Sequence, residues 1–322
     1  MPYRPTVLSF APSYRCNLTC AHCCVPGRAD GLLPLPLALD CVRQASLLGF
    51  RGVGFTGGEP LLVPDWVARV VQEAVARGLA ASGVSTNGLW WTDLAHLRRV
   101  LMRLRRAGFG GSFHLSVDAF HPGAGGERQA QFLQSVLDVF NRTGTLNCAE
   151  SPRHPALPVL ERLARRLGAD LVRDSPQRGR MRGPGWSIPF FRFPVAQVDQ
   201  RARVGVTLGE HWFSREDCFG HDLLALDPAG RAYCCSGFAC YRAPGLCLGE
   251  VTAGGLPAAQ EAADRSPLLT LLAAEGPAGL RRVIEQYEPH AFPVPWPSAC
   301  SFCYHCLTDH KLSYLLRQAG VL

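Results

Sequence analysis

From Val7 to about residue 174, short apolar runs alternate with longer stretches whose apolar residues recur at helical spacing. Residues 7–11, 52–55, 80–84 and 113–117 read as buried strands, with weaker ones near 145–149 and 169–173. Between them Val67, Val70, Val71, Ala74 and Val75 share one helical face. Leu94, Leu97, Leu101 and Leu104 do the same, as do Leu133, Val136, Leu137 and Phe140, with a shorter stripe at Leu160, Leu163 and Leu167. A helix with one apolar face must bury it against a sheet, so the pattern predicts a parallel βα fold. Six units, two short of a closed eight-stranded barrel, predict an α/β fold with an open partial (β/α)6 barrel over residues 1–182. The Pro-, Phe- and Gly-rich stretch 183–197 reads as a connection, assigned to residues 183–210, before a small C-terminal extension over 211–322.

The polar motifs all follow the predicted strands, where parallel βα folds gather reactive groups. After the first strand, Cys16, Cys20 and Cys23 stand at C-x3-C-x2-C spacing. Three thiolates on one short loop repel one another unless a cationic centre neutralises them, and three ligands would leave one iron of a [4Fe-4S] cube open. A zinc site normally closes with four ligands from paired C-x2-4-C units, which this triplet does not supply locally. Thr56-Gly57-Gly58-Glu59-Pro60 follows the second strand, Ser85-Thr86-Asn87-Gly88 the third, and Asp118-Ala119-Phe120-His121 the fourth. Turn chemistry alone could account for Ser85, Asn87, Ser116 and Asp118. His114 and His121 could serve as acid-base groups or as structural histidines.

The cysteine triplet with the Gly-Gly-Glu-Pro segment closely resembles the radical S-adenosylmethionine (radical SAM) superfamily, whose core is such a partial barrel. The resemblance implies that Cys16, Cys20 and Cys23 bind a [4Fe-4S] cluster whose open iron holds S-adenosylmethionine. It also implies that Gly57, Gly58 and Glu59 hold the methionine amino group and that His22 takes the position of an adenine-contacting ring. Ser85 and Asn87 would contact the nucleoside or the methionine carboxylate, and Ser116 and Asp118 would lie beside the ribose or the substrate. Cys24 has no role in that pattern. An electron donor of flavodoxin or ferredoxin type is implied as a partner.

The second half carries eight of the fourteen cysteines, from Cys218 onward. Leu223 to Leu226 and Arg231 to Cys235 read as a hairpin turning at Pro228-Ala229-Gly230. The spacing Cys218-x11-Gly230-x4-Cys235, with Cys300, Cys303 and Cys306 at C-x2-C-x2-C, resembles the SPASM and twitch extensions of radical SAM enzymes. A full SPASM domain has a longer second cysteine series, so the resemblance implies a twitch-like region with one auxiliary [4Fe-4S] cluster. Its ligands would come from Cys218, Cys235, Cys300, Cys303 and Cys306. The Gly-x4-Cys spacing favours Cys235 over Cys234, and zinc at the terminal triplet is the alternative. Cys234, Cys240 and Cys247 are surplus and are candidate hydrogen-atom donors, or else core thiols. Cys41 and Cys148 read as core residues.

The chain of 322 residues, 47% hydrophobic and 18% charged, can build a real core. It offers no apolar run of the roughly 18 residues a bilayer span needs and no secretory signal, which places it in the cytoplasm. Fourteen cysteines there are not a disulfide framework. The net charge of +7 comes from arginine, Lys311 being the sole lysine, and favours an acidic peptide or an anionic metabolite. No nucleic-acid motif accompanies it, and the arginines at 98, 99, 103, 105 and 106 read as a solvated helix face.

The resemblance implies generation of a 5'-deoxyadenosyl radical that abstracts hydrogen from a substrate. Twitch and SPASM extensions point to modification of a ribosomally made peptide, by crosslinking or epimerisation, with a separate leader-peptide-binding partner. A radical dehydrogenase acting on a small molecule such as an aminocyclitol is the alternative. A non-enzymatic iron-sulfur or zinc scaffold is the reading from a different class, and it would not need the Gly-Gly-Glu-Pro segment.

Overall fold

The computed structural model describes residues 3–27, 31–195, 218, 222–237, 239–243, 245–252, 255–292, 296 and 298–322. Strand and helix alternate as the apolar pattern requires: β1 (Val7–Phe10), α1 (Leu35–Leu47), β2 (Gly52–Phe55), α2 (Pro64–Ala76), β3 (Ala80–Thr86) and α3 (Leu94–Arg106). They continue with β4 (Phe113–Ser116), α4 (Glu127–Phe140), β5 (Thr145–Glu150) and α5 (Leu157–Leu167). Helix α3 shows the local logic. Asp93 caps it by accepting the His96 N–H at 2.7 Å, Leu97, Leu101 and Leu104 are fully buried, and its arginines face outward. Two of those arginines make ion pairs on the outer face, Arg103 with Asp65 and Arg98 with Asp138.

β1 to β5 pair in parallel in chain order, and the sixth parallel strand lies beside β5. That strand is β8 (Trp186–Pro194), reached through the antiparallel hairpin β6 (Asp170–Arg173) and β7 (Arg178–Gly183). The sheet stays open, so the six-stranded partial barrel stands. The identity of its last strand is corrected: residues 169–173 form the outer edge, and part of the stretch read as a connection is a sheet strand. Pro189 and Pro194 lack the N–H a ladder uses, which is why the segment does not read as a strand.

On the other side, β9 (Leu223–Leu226) runs parallel to β1, followed by antiparallel β10 (Arg231–Tyr233) and β11 (Cys247–Glu250). The expected hairpin therefore extends the barrel sheet itself, from β11 at one end to β6 at the other. Helices α6 (Gly255–Asp264), α7 (Pro267–Glu275), α8 (Pro277–Tyr287), α9 (Ala299–Thr308) and α10 (His310–Gln318) complete the extension. The barrel core includes Phe10, Phe113, Leu115 and Phe190, all fully buried. Burying each such side chain contributes about 1.5–3 kcal/mol. Cys41 and Cys148 are fully buried there, as expected of core thiols, and a second core around Phe302, Leu280 and Leu316 holds the C-terminal helices. Among the described residues no helix is long and apolar enough to cross a membrane.

Candidate functional site

The loop after β1 carries Cys16, Cys20 and Cys23, the first two half-buried and the third exposed. Its start is tied to the Gly-Gly-Glu-Pro segment. The Gly58 N–H donates to the Ser13 carbonyl at 3.0 Å and the Glu59 N–H to the Arg15 carbonyl at 2.8 Å. The two strands of this contact approach so closely that a Cβ on Gly58 would lie 2.0 Å from the Arg15 oxygen. Gly57 adopts φ +110°, and a Cβ there would lie 2.8 Å from the Ser13 oxygen. The glycines thus hold the segment directly against the residues leading into Cys16. Cys16 Sγ accepts from the Leu18 N–H at 3.4 Å, and Asn87 Nδ2 lies 3.9 Å from the same sulfur while donating to Asn17 Oδ1 at 2.9 Å. Burial pushes the Cys16 thiol up, and nearby Glu59, Cys20 and Cys23 add to this, so a cation is what would hold the thiolate.

Glu59 is 2% exposed, and its carboxylate points inward. It accepts from the Leu61 N–H at 3.1 Å, the Thr86 hydroxyl at 2.9 Å and the Asn87 N–H at 2.9 Å. It therefore bolts the segment after β2 to the end of β3. Burial raises this carboxyl to about 7 despite those three donors. Replacing Glu59 by alanine leaves the donors buried without an acceptor, at about 1–3 kcal/mol each. We expect Glu59→Ala to lose roughly 3 kcal/mol of stability by urea unfolding even without cofactors, on that scale. A loss below about 0.5 kcal/mol, the range of ordinary surface changes, would refute this bolt.

The strand ends opposite the loop are held by a residue that sequence reasoning missed. Gln129 on α4 is fully buried, and its Nε2 donates to the Asn87 carbonyl at 2.8 Å and the Ser116 carbonyl at 2.9 Å. Glutamine at a helical position carries no motif, so no local signal could have marked it. Ser85 and Ser116 are half-buried at the strand ends. His114 does not reach the cysteine loop by any described contact; it bonds Thr145 on β5 at 2.9 Å, and burial lowers its imidazole.

Asp118 is 2% exposed and accepts from the Phe120 N–H at 3.1 Å and from His121 Nδ1 at 2.8 Å. Burial pulls the His121 imidazole down, but the bond to Asp118 and the neighbouring Cys20 together outweigh this and raise it to about 9. The His22 ring packs on Phe120 at 4.7 Å and on His121 at 4.9 Å, and burial lowers it to about 4. Its Nδ1 is buried with no partner. His22, Asp118 and His121 place one ligand atom each within 4.8 Å of one another. An unsatisfied ring nitrogen beside three thiols, against a glycine-only backbone contact, fits a loop built to receive a cluster and its nucleoside ligand.

The C-terminal thiols converge from three segments. Cys303 feels the charges of Cys218, Cys235, Cys300 and Cys306, and burial pushes it well up. Cys300 and Cys303 lie in the first turns of α9, whose N-terminus is capped by the Ser298 hydroxyl accepting the Ser301 N–H at 3.1 Å. Helix N-termini favour thiolates. Cys235 is the thiol held well below the ordinary range, because the Cys234 and Cys240 thiols and the Gly237 N–H all bond its sulfur. Cys306, one turn further along α9, is fully buried in apolar packing, and burial pushes its thiol well up. Cys234 and Cys240 are 4% and 1% exposed and both lie against Cys235, with Cys240 Sγ 2.7 Å from the Cys235 carbonyl. Cys247 is exposed on β11 at the sheet edge.

These cysteines meet the first loop. Arg242 Nη1 donates to the Cys24 carbonyl at 2.6 Å, and the Cys24 thiol, pushed up to about 11 chiefly by burial, lies within electrostatic reach of Cys235. Asp227, fully buried, locks the hairpin to the same loop. It accepts from the Ala229 and Arg231 N–H groups at 2.9 Å, from the Arg231 guanidinium, and from Tyr14 Oη at 3.3 Å, two residues before Cys16.

Parts of the chain are similar to known proteins. The molybdenum cofactor biosynthesis protein 1 of Bos taurus is 36% identical over 114 residues, covering 34% of this chain and 17% of that protein. The GTP 3',8-cyclase of Synechococcus sp. (strain CC9902) is 38% identical over 86 residues, covering 26% of this chain and 25% of that protein. The chain thus spans a quarter or less of these relatives' own length. A solved structure of native anSMEcpe with bound AdoMet and Cp18Cys peptide shares the fold over 99% of this chain and 100% of that one, with a TM-score of 0.55 and 12% identity. Residues 10–150 match the model of the radical SAM superfamily, and that match contains the three-cysteine loop, the Gly-Gly-Glu-Pro segment and four of the parallel strands, β2 to β5. Residues 10–150 thus form a segment similar to the radical SAM superfamily.

Proposed function

We propose that this protein is a radical SAM peptide maturase, introducing a crosslink or an epimerised centre into a ribosomally made peptide. The observation that carries the reading is the apposition of the C-terminal thiols and the first cysteine loop through Arg242, Cys24 and the Asp227 clamp. Such a joint would put an auxiliary cluster beside the radical source, as in SPASM and twitch enzymes. That anSMEcpe is seen with AdoMet and a peptide supports the same direction.

Cys16, Cys20 and Cys23 would hold the first [4Fe-4S] cluster, the backbone around Gly57 and Gly58 and the amide of Asn87 would receive S-adenosylmethionine, and His22 would face the adenine. Bound there, the cluster and S-adenosylmethionine supply a 5'-deoxyadenosyl radical that takes hydrogen from the substrate. Cys218, Cys235, Cys300 and Cys303 would hold the auxiliary cluster, with an electron donor of flavodoxin or ferredoxin type and a leader-peptide-binding protein as partners. Ser85, Ser116 and Asp118 frame the site from the strand ends.

The curated relatives support a second reading, a nucleotide substrate, because the GTP 3',8-cyclase is 38% identical over 86 residues. Incubating the reconstituted enzyme with reductant, S-adenosylmethionine, and either GTP or a short precursor peptide encoded beside its gene separates them. We expect the peptide to stimulate 5'-deoxyadenosine release and to change in mass or stereochemistry. Stimulation by GTP with an unchanged peptide would overturn the peptide reading.

The burial of Cys234 and Cys240 bears on the outcome. A thiol that returns a hydrogen atom must reach the substrate, and both are packed against Cys235. In deuterated water we therefore expect a crosslinked, two-hydrogen-lighter product without solvent deuterium at its α-carbon. Deuterium incorporation that disappears in Cys240→Ala, Cys234→Ala or Cys247→Ala, with iron retained, would instead identify that thiol as the donor of an epimerase.

A further inference from the structure

Directly opposed residues of neighbouring strands project to the same side of a sheet, and alternate residues of one strand to opposite sides. The ladder register therefore separates two faces. Leu115, Leu146, Phe190, Ile188 and Met181 share the face that packs into one core with Leu160 and Leu163 of α5. On the other face, one row runs through Arg178, Phe191, Asn147 and Ser116 across β7, β8, β5 and β4. Arg180 and Arg182 follow Arg178 on that face at every second position of β7, and all three are exposed. None of the three makes an ion pair with a described residue. The Arg178 guanidinium lies 5.8 Å from the centre of the Phe191 ring, and Phe193, on the same face, is 36% exposed. Val172 and Pro189, the ladder partners of Arg180, are partly buried. Among the ladder partners of the three arginines the only acid is Asp170, opposite Arg182.

We infer that this face binds an acidic, extended segment of the peptide substrate, whose alternate carboxylates meet Arg178, Arg180 and Arg182. The inference rests on the peptide-maturase reading and adds to it the chemical class of the substrate. An extended chain turns every second side chain to one side at about 6.8 Å, the same repeat as the arginine row. The row spans about 14 Å from Arg178 to Arg182 at that repeat, which suits a string of charges better than one compact anion. Each guanidinium presents a planar fork that takes a carboxylate through two hydrogen bonds. The apolar floor of Phe191, Val172 and Pro189 thins the water around those pairs and strengthens them. Direction follows from topology. β7 runs antiparallel to β8, so Arg182 stands toward the far end of the sheet, and Arg178 is level with Ser116 at the end of β4. A strand laid along the row therefore leads toward Asp118, two residues beyond Ser116, at the mouth of the barrel.

The test is fluorescence anisotropy of the full chain with a fluorescein-labelled peptide of alternating glutamate and threonine. We expect saturable binding that weakens as salt is raised. A glutamine-threonine peptide of the same length should bind about tenfold more weakly. The triple variant Arg178→Gln, Arg180→Gln, Arg182→Gln should lose about the same factor for the glutamate peptide. The double variant Arg180→Glu, Arg182→Glu should instead prefer a lysine-threonine peptide, a gain that a misfolded protein does not show. Equal binding of the glutamate and glutamine peptides, or unchanged binding in the triple variant, would overturn the inference. Tighter binding of inorganic tripolyphosphate than of the glutamate peptide at the same arginines would also overturn it, in favour of a compact anion. The precursor peptide encoded beside the gene separates this inference from the reading beneath it. Modification of that peptide by the reconstituted enzyme with the same KM in wild type and triple variant would overturn this inference alone. No modification by the wild type would overturn the maturase reading, and this one with it.

Discussion

Replacing Cys16, Cys20 and Cys23 together by alanine is expected to abolish reductive cleavage of S-adenosylmethionine to 5'-deoxyadenosine while leaving a folded protein. The two halves of this expectation have separate physical grounds. Loss of activity follows because nothing else on the loop can hold a cluster with an open iron: His22 offers one nitrogen, and Cys24 lies toward Arg242 and Cys235. Retention of the fold follows because the loop is anchored by backbone rather than by its thiols. The Ser13 and Arg15 carbonyls are held by Gly58 and Glu59, and Tyr14 by Asp227. Cys23 is exposed and the other two are half-buried, so each truncation should cost little, on the order of 0.5 kcal/mol for a surface change. Anaerobic assay of 5'-deoxyadenosine by chromatography, with circular dichroism as the check on folding, gives the answer. Cleavage at a wild-type rate in the folded triple variant would sink the assignment of the loop.

How much of this was legible in the sequence depends on whether the relevant contacts are local. The cysteine loop and the Gly-Gly-Glu-Pro segment are short contiguous motifs, and the helical stripes report burial directly because each helix packs one face on the sheet. Leu97, Leu101 and Leu104 are all fully buried as their spacing implies. The hairpin at Pro228-Ala229-Gly230 was legible for the same reason, with Gly230 at φ +78°. What holds these pieces together was not. Glu59 reads as part of a cofactor motif, yet its carboxylate spends its lone pairs on β3, and Gln129 joins β3 to β4 from a helix with no motif at all. Asp227 looks like an ordinary turn residue until Tyr14 arrives from a segment 213 residues away. The misread sixth strand has a different cause. Residues 169–173 have the apolar content of a strand, but only the chain's return through β7 shows that the place beside β5 is filled by the proline-containing β8. The five C-terminal helices left no trace in the cysteine spacing, which records ligands and not the scaffold that brings them together.

The second large effect concerns that scaffold. Replacing Cys300 and Cys303 together by alanine should remove about four irons per chain from the anaerobically reconstituted protein, one cube's worth, and leave the first loop loaded. The ground is that Cys303 feels Cys218, Cys235 and Cys300 at once, and that Cys300 precedes it by one helical turn, both near a helix N-terminus. Four thiols from three segments, with Cys303 pushed up by burial and by the charges of the others, are what a bound cation would neutralise together. Cys306 supplies the contrast, because it sits a turn deeper in the apolar core of the extension. Cys306→Ala should keep its iron and lose roughly 1 kcal/mol of stability from the missing buried atom. Metal analysis of the two variants separates the possible sites. Iron lost equally from Cys306→Ala would move the ligand set down the helix, and zinc recovered in place of iron would make the extension a structural site. Full iron in the Cys300, Cys303 double variant would remove the auxiliary cluster altogether, and with it the reason for placing peptide chemistry between the two cysteine regions.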